Sequence, residues 1–358
     1  MHVENKDNCK YVFVCGLPRS GTSMLGRNIA RLENCTGLHD TGVLEDEGRF
    51  LQNVYPTEDM CGGPGRFGFD PRAHLTETSA LLTRGNVAKL RASWHAHWDN
   101  SKAIFVEKTP ANLLMTRFLQ AAFPNSYFVV IKRHPVAVAM AAQKWKLNVT
   151  PLYNMFEHWL HCHALYEQDK KYLKHVYELS YEDYIENADK YHRQIAEFIG
   201  TRVPEPPEQD TFRYVAQWRS SGGLRVPERT MEEPTRSHNQ KYFNRWSDFL
   251  NNSPLRCYYQ YIAVQYEPKF MRYGYSLINE FGLTEERRRA AERIPTTTGK
   301  LYCVVANIHA LIVRVPPQAR SNTKRLLRAH LPEPLKARIK NLVRKFSPMK
   351  KQSKMVSC

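Results

Sequence analysis

The stretch that decides the fold lies near the start of the chain and reads Tyr11-Val12-Phe13-Val14-Cys15-Gly16-Leu17-Pro18-Arg19-Ser20-Gly21-Thr22-Ser23. Its first part is apolar and rich in β-branched and aromatic side chains, which is typical of a buried strand. Apolar residues then recur at helical spacing, at Leu25, Ile29 and Leu32. The stretch therefore predicts a strand, a loop and a helix in succession.

The loop between this strand and helix has the outline of an anion cradle. Gly16 and Gly21 let backbone N–H groups approach a ligand, and the helix that follows presents its positive end. A nucleoside triphosphatase needs a lysine directly after the second glycine, where this chain has Thr22, and the cation of this loop is instead Arg19. The loop is therefore predicted to bind an anion such as a phosphate group, but not in the manner of those enzymes. A glycine-rich turn with a chance arginine is the alternative.

Outward from the loop, strand and helix patterns alternate along the chain. Strands are predicted at residues 103–106, 127–132 and 175–179, and helices at 112–122, 135–145 and 152–172. This alternation predicts an α/β fold with a parallel, doubly wound sheet flanked by helices. Residues 37–85 are rich in glycine, proline and acids, which indicates a long functional loop region. Because the patterning weakens after Tyr275, we predict a domain over residues 1–275 and a C-terminal extension over 276–358.

The positive charge is concentrated at the C-terminus. The formal net charge of the 358 residues is +17, but the segment from Arg314 onward holds 13 Lys or Arg against Glu333 alone, so the rest carries 17 − 12 = +5. Any anion site in the body is therefore local. Apolar residues at helical spacing among these cations predict a basic amphipathic helix: Leu335, Ile339, Leu342 and Phe346. It would contact a membrane surface or polyanion; a partner-docking helix and a solvated tail are the alternatives.

Several function classes are disfavoured by the sequence. The eight cysteines form no C-x-x-C pair, and His158, His161 and His163 do not share one helical face, so no metal site is predicted. No apolar leader or membrane-length run is found, which favours a cytoplasmic location. Glycosylation triplets at Asn34, Asn148 and Asn251 keep the Golgi lumen as an alternative if the native N-terminus is missing.

Three further segments follow the loop in a fixed order. They are Glu107-Lys108-Thr109-Pro110 after the second strand, Ile131-Lys132-Arg133-His134-Pro135 after the third, and Tyr181-Glu182-Asp183 after the fourth. Together with the first loop, they resemble the pattern of sulfotransferases that use 3′-phosphoadenosine 5′-phosphosulfate (PAPS), and the resemblance covers about residues 11–275. The pattern is most similar to the tyrosylprotein and glycan branches. The resemblance implies a P-loop-like fold.

The resemblance also implies which residues hold the nucleotide. The first loop corresponds to the 5′-phosphosulfate site, with Gly16, Pro18, Arg19, Ser20, Gly21, Thr22 and Ser23 as its members. Arg133 corresponds to the 3′-phosphate ligand, and Tyr181, Trp145 and the Lys241 to Trp246 segment to residues around the nucleotide, although Trp246 is also a candidate core residue. The family has a serine eight residues after the arginine, where this chain has Ala141. A second 3′-phosphate ligand would then have to come from Lys144, Arg236 or Lys241.

Sulfuryl transfer accumulates negative charge on the bridging oxygen of the departing nucleotide, so cations near that oxygen lower the barrier. The resemblance implies Arg19 and Lys108 for this role, and Glu47, followed two residues later by Arg49, as the base that deprotonates the acceptor. A solvated acidic turn is the alternative for Glu47, and His39 is a rival base. Glu107 is expected to orient rather than react. No metal is expected, because a sulfuryl group carries less charge than a phosphoryl group.

The sequence therefore predicts a PAPS-dependent sulfotransferase that acts on a hydroxyl or amine of a glycan, peptidyl tyrosine or small alcohol. Residues 37–84 are expected to shape the acceptor cleft. A P-loop nucleotide kinase is the runner-up, disfavoured by Thr22. An inactive scaffold that binds membranes or polyanions is a third hypothesis, which Ala141 keeps open. No nucleic-acid partner is expected.

Overall fold

The computed structural model describes residues 9–143, 151–204 and 237–314. The chain divides into two compact units, one formed by residues 1–148 with 154–242 and the other by residues 149–153 with 243–358. The first unit contains the sheet. The division into a domain that ends at Tyr275 and an extension stays a prediction.

The first unit is built on a sheet of five parallel strands in the order β2-β3-β1-β4-β5. The strands are β1 (Lys10–Gly16), β2 (Cys35–Gly37), β3 (Ile104–Lys108), β4 (Ser126–Lys132) and β5 (Val176–Ser180). The central strand β1 buries Val12, Phe13 and Val14 completely, because a central strand of a parallel sheet is covered on both faces. The predicted parallel α/β sheet is confirmed.

The helices of this unit connect and flank the strands. Helix α1 packs against the strands and against α7, where Leu25 and Ile29 share one apolar core with Ile195 and Ile199. The helices are α1 (Thr22–Ala30), α2 (Arg84–His95), α3 (Thr116–Ala122), α4 (Pro135–Gln143), α5 (Leu152–Asp169), α6 (Tyr181–Glu186) and α7 (Ala188–Ile199). Helix α8 (Ser237–Asn251) begins in this unit and ends in the second.

The register of the strands determines where the motifs meet. Val14 of β1 lies opposite Lys108 of β3, Gly16 lies opposite Ile131 of β4, and Lys132 of β4 lies opposite Ser180 of β5. Since all pairs are parallel, the carboxyl ends of these strands lie along one edge of the sheet. Ligands of open α/β sheets bind outside this edge. The predicted motifs, each at or directly after a strand end, are therefore brought to one side of the first unit.

The segment between β2 and α2 is a succession of short 3₁₀ turns. They span Leu44–Asp46, Gly48–Phe50, Glu58–Cys61, Phe67–Phe69 and Pro71–Ala73. Side chains from this segment are nevertheless buried, among them Tyr55, Cys61 and Phe67. It is a packed part of the unit with irregular backbone.

The second unit is helical in its described part. It contains the end of α8 and three further helices, α9 (Arg256–Met271), α10 (Glu285–Glu292) and α11 (Thr296–Arg314). Trp246 of α8 is fully buried here and donates its indole N–H to the carbonyl oxygen of Leu277 at 2.9 Å. Trp246 is thus a packing residue of this unit.

The predicted basic amphipathic helix at the C-terminus lies outside the described residues. Within residues 9–143, 151–204 and 237–314, no helix combines the length and the apolar character needed to cross a bilayer.

Candidate functional site

The loop after β1 presents a buried hydroxyl at the start of α1. The Ser20 amide donates to the carbonyl oxygen of Leu17 at 3.0 Å, which closes a tight turn. The Ser20 side chain is 0% exposed, and its Oγ has no hydrogen-bond partner within the described part of the chain. Buried polar atoms are almost always paired in folded proteins, so this hydroxyl is available to donate a hydrogen bond to a bound group at the N-terminus of α1.

The backbone of this loop depends on left-handed conformations. Arg19 has a φ of 77° and Gly21 a φ of 99°. A Cβ atom on Gly21 would lie 2.6 Å from a ring carbon of Tyr181, the first residue of α6. The loop therefore fits against Tyr181 only with glycine at this position.

We expect Gly21→Ala to lower the free energy of unfolding by about 1–3 kcal/mol, because alanine is strained at this φ and its methyl group overlaps the Tyr181 ring. Chemical denaturation measures the change. Gly85→Ala is the matched control, since Gly85 lies in α2 with nothing within 4 Å of the added Cβ, and it should be neutral or slightly stabilising. A loss as large in Gly85→Ala would contradict the argument.

Arg133, directly after β4, is a buried guanidinium. Its Nη1 donates to the carbonyl oxygen of Arg19 at 2.7 Å, while Nε and Nη2 donate to Asn239 Oδ1 at 2.9 and 2.7 Å. The guanidinium carbon lies 4.0 Å from the centre of the Tyr181 ring. These hydrogen bonds all go to neutral oxygens, and burial lowers the Arg133 pKa. A buried cation held in this way attracts an anionic group.

Asn239, at the start of α8, was not found from the sequence. Its Nδ2 donates to Glu182 Oε1 at 2.8 Å, and the His134 backbone amide donates to the same oxygen at 3.1 Å. Asn239 therefore joins Arg133 to the acid of the Tyr181-Glu182-Asp183 motif. No motif or spacing marks this asparagine, so only the tertiary fold identifies it.

The remaining candidates for the nucleotide site lie on α4, on α8 or outside the described residues. Ala141 is buried in α4, and Lys241 is exposed on α8. The Tyr242 ring centre lies 5.8 Å from the Arg133 guanidinium. Lys144, Trp145 and Arg236 lie outside the described residues.

Lys108, the last residue of β3, contacts Glu47. Its Nζ donates to Glu47 Oε1 at 3.0 Å and to the carbonyl oxygen of Glu45 at 3.1 Å. Glu47 is 4% exposed, and its other oxygen, Oε2, lies 2.6 Å from Arg49 Nε. Ser23 Oγ donates to Glu45 Oε2 at 3.3 Å, which connects the first turn of α1 to the same segment. The structure thus brings Ser23, Lys108 and Glu47 together.

Glu107 holds the backbone beside Glu47. Its Oε1 accepts hydrogen bonds from the Gly48 amide at 2.9 Å and from Thr109 Oγ1 at 2.5 Å, and Asn112 donates to its other oxygen. Burial raises the pKa of Glu107 to about 7. The carbonyl oxygen of Gly48 in turn accepts from the Trp94 indole at 2.9 Å. The peptide that follows Glu47 is therefore fixed on both sides.

The three histidines His39, His158 and His163 contact other residues. The His39 side chain is 76% exposed and pairs only loosely with Asp40, at 3.8 Å. His158 accepts from the Gly68 amide at 3.1 Å, and burial lowers its pKa to about 3. His163 donates from Nδ1 to the carbonyl oxygen of Trp159 at 2.8 Å. Across the described ranges, no group of three or more His, Cys, Asp and Glu side chains is arranged to hold a metal ion.

Comparison with known families places this chain in a class. Residues 12–205, just over half of the chain, match the family described as "Sulfotransferase family". The chain belongs to the sulfotransferase family. No curated protein matches the chain.

Several solved structures are similar at low identity. The sulfotransferase domain of the Synechococcus olefin synthase is 16% identical, with 57% of this chain and 78% of that chain covered and a TM-score of 0.38. The sulfotransferase domain from the curacin biosynthetic pathway is 15% identical, with 72% and 97% covered and a TM-score of 0.37. Sulfotransferase STF1 from Mycobacterium tuberculosis is 14% identical, with 55% and 69% covered and a TM-score of 0.35.

Proposed function

We propose that this protein transfers the sulfuryl group of PAPS to a hydroxyl or amine of an acceptor. The observation that carries the proposal is the pairing of two anion-attracting groups at one sheet edge. The Ser20 hydroxyl, which has no partner among the described residues, lies at the N-terminus of α1, and the buried Arg133 is joined to the same loop through the Arg19 carbonyl oxygen at 2.7 Å. PAPS carries two separate anionic groups, on the 5′ and 3′ sides of its ribose.

The residues present fit this nucleotide. The loop from Gly16 to Ser23 would hold the 5′-phosphosulfate, and Arg133 would hold the 3′-phosphate. The Tyr181 ring, which packs on Gly21 and under Arg133, and the exposed Lys241 would contact the rest of the nucleotide. When bound, PAPS supplies the sulfuryl group and a nucleotide leaving group.

The transfer requires positive charge near the leaving oxygen and a base that removes one proton from the acceptor. Lys108 and Arg19 stabilise the negative charge that develops on the leaving oxygen. Glu47 removes the proton from the acceptor hydroxyl. Because both Glu47 oxygens already contact cations, Lys108 and Arg49, the acceptor hydroxyl must share or replace one of these contacts. The base and the charge-stabilising lysine are therefore coupled.

The acceptor is proposed to bear a hydroxyl group and to bind along residues 37–84. We also propose that the basic C-terminal tail contacts a membrane surface or polyanion, and that the protein acts in the cytoplasm.

The decisive experiment has two parts. PAP (adenosine 3′,5′-bisphosphate) should raise the melting temperature in the presence of EDTA, because a ligand that binds only the native state stabilises it. Labelled sulfate from PAPS should then appear on one member of a panel of glycans, tyrosine peptides and small alcohols. Stabilisation by ATP with magnesium but not by PAP would favour a kinase. Binding of PAP without any transfer, including transfer to water, would favour an inactive scaffold.

Arg133→Ala should weaken PAP binding by about tenfold or more, the scale of one lost charged hydrogen bond, and weaken APS (adenosine 5′-phosphosulfate) binding much less. The reason is that only PAP carries the 3′-phosphate. Calorimetric titration with both ligands measures the difference. Lys132→Ala is the matched control, because Lys132 faces Glu167 and Glu178 at 3.7 and 3.5 Å. Equal losses for PAP and APS would mean that Arg133 only supports the fold.

A further inference from the structure

Arg49 lies between two buried carboxylates. Its Nε is 2.6 Å from Glu47 Oε2, and its Nη1 is 2.9 Å from Glu58 Oε1. Lys108 contacts the other oxygen of Glu47 at 3.0 Å. These contacts form a four-residue chain of alternating charge, Lys108–Glu47–Arg49–Glu58, whose formal charges sum to zero.

The burial of Glu58 is the feature of this four-residue chain that needs an explanation. It is 5% exposed, and placing a carboxylate in the interior is costly unless a cation compensates it. Neighbouring Asp59 also approaches Arg49 Nη1, at 3.5 Å, but its side chain is 56% exposed. Solvent screens such an exposed charge. The charge of Arg49 is therefore balanced mainly by Glu47 and Glu58.

Glu58 is one of the residues around a small cavity. Arg49, Tyr55, Phe67, Thr109 and Met115 line this cavity together with Glu58. Glu58 Oε2 and the Tyr55 hydroxyl have no hydrogen-bond partner among the residues that the structure describes. Among the described residues, Arg49 is therefore the cation that the Glu58 carboxylate contacts.

We propose that Glu58 is a positioning residue for sulfuryl transfer, which holds Arg49 against Glu47 and balances its charge so that Glu47 remains an effective base. The proposal rests on the function proposed above. Without the charge of Glu58, Glu47 alone would balance the two cations Lys108 and Arg49, and both would hold its carboxylate in the ionised form. A carboxylate held more strongly in its ionised form takes up a proton less readily.

The charge of Glu58 also gives the transfer a pH dependence. Burial raises the pKa of Glu58 to about 7, although Arg49 acts in the opposite direction. Below this pH Glu58 is protonated and neutral, and above it Glu58 is charged and supports Glu47. Turnover should therefore rise as the pH increases through about 7. The groups that face Glu58 are Arg49, Glu47, Asp59 and the Cys162 thiol, and none of them is changed in the Glu58→Gln variant.

Glu107 is a second buried acid with a pKa near 7. Its carboxylate contacts Gly48, Thr109 and Asn112 and not Arg49. A pH profile of the wild type alone would therefore not separate the two acids, and a Glu58 variant is needed.

The test compares Glu58→Gln with wild type, with Asp59→Asn as the matched control on the same guanidinium. Labelled-sulfate transfer from PAPS, or release of PAP by transfer to water, is followed across the pH range, and PAP binding is measured by calorimetry. We expect Glu58→Gln to bind PAP normally, to lose about tenfold in turnover above the transition, and to lose the rise near neutral pH. Asp59→Asn should follow the wild-type profile.

Wild-type turnover in Glu58→Gln, or an unchanged rise in its profile, would overturn the proposal, and so would a wild-type profile that is flat through neutral pH. If Glu58→Gln does not fold, Glu58→Asp decides. This variant keeps a carboxylate that can balance Arg49 but shortens its reach, so the rise with pH should remain at reduced turnover, and a profile that is flat through neutral pH would overturn the proposal. Failure of the underlying function looks different, since the wild type would then neither bind PAP nor transfer sulfate.

Discussion

Lys108→Ala should lower turnover with PAPS by about two to three orders of magnitude, the loss observed when one transition-state donor is removed. Lys108 ends β3 opposite Val14, and its Nζ is already fixed by Glu47 and by the carbonyl oxygen of Glu45. A fixed cation needs little reorganisation as charge develops on the leaving oxygen. The substitution removes this charge and also leaves Glu47 with Arg49 alone.

Steady-state transfer of labelled sulfate measures the effect, and PAP binding is measured in parallel. Because the charge develops in the transition state, turnover should fall much more than PAP affinity. Lys170→Ala is the control, since Lys170 pairs with Glu178 at 2.7 Å on a half-exposed surface. A Lys108→Ala enzyme with wild-type turnover would refute the proposed role.

Arg19→Ala should lower turnover on the same scale of about two to three orders of magnitude. Arg19 has a positive φ, so alanine also introduces backbone strain there. Arg19→Gly removes the side chain without that strain, and it should retain stability while losing turnover. If only Arg19→Ala is impaired, the arginine contributes through the loop conformation and not through its charge.

The parts of this site that could be predicted from the sequence are the local ones. The strand, the glycine loop and α1 are contiguous, and their apolar spacing and glycines are readable within a short window. The three later motifs were placed correctly at strand ends for the same reason. The three-residue strand β2 was missed, because Cys35–Gly37 is too short to show any alternation.

The parts that could not be predicted depend on long-range packing. The alignment of Val14 with Lys108 is a matter of strand register, which no local pattern specifies. Asn239 is 106 residues from Arg133 along the chain, and no motif connects them. No motif or spacing marks Glu58 within the irregular segment of residues 37–85, yet it is buried against Arg49. Burial of a polar residue is the informative observation, and it becomes visible only in the folded chain.

For Glu47, too, the folded structure supplies information that the local sequence pattern does not contain. The sequence predicts either a base or a residue of a solvated surface turn at Glu47. The structure places its carboxylate in the interior, with Lys108 and Arg49 on its two oxygens. The solvated-turn interpretation is therefore wrong for this residue. The side chain of the rival base, His39, is largely exposed. The catalytic role of Glu47 stays a prediction.

Glu47→Gln should bind PAP like the wild type and lose about 10²-fold or more in turnover, the range expected for one acid–base residue. Glutamine keeps the size, but it can accept a hydrogen bond from only one of Lys108 and Arg49, and it cannot take a proton from the acceptor. Unfolding by denaturant serves as the check on stability, because two buried cations lose their common counter-charge in this variant. A loss of turnover with PAP affinity retained would separate chemistry from binding.

Substitutions at the alternative base, His39, and at Glu45 provide the controls for Glu47→Gln. His39→Asn and Glu45→Gln alter neighbours of the same segment, and neither should reduce turnover to the level of Glu47→Gln. If Glu47→Gln instead keeps its turnover and declines at low pH as the wild type does, Glu47 is not the base, and His39 and Glu45 become the residues to test. That result would leave membership in the sulfotransferase family intact, because the match over residues 12–205 does not depend on which carboxylate accepts the proton.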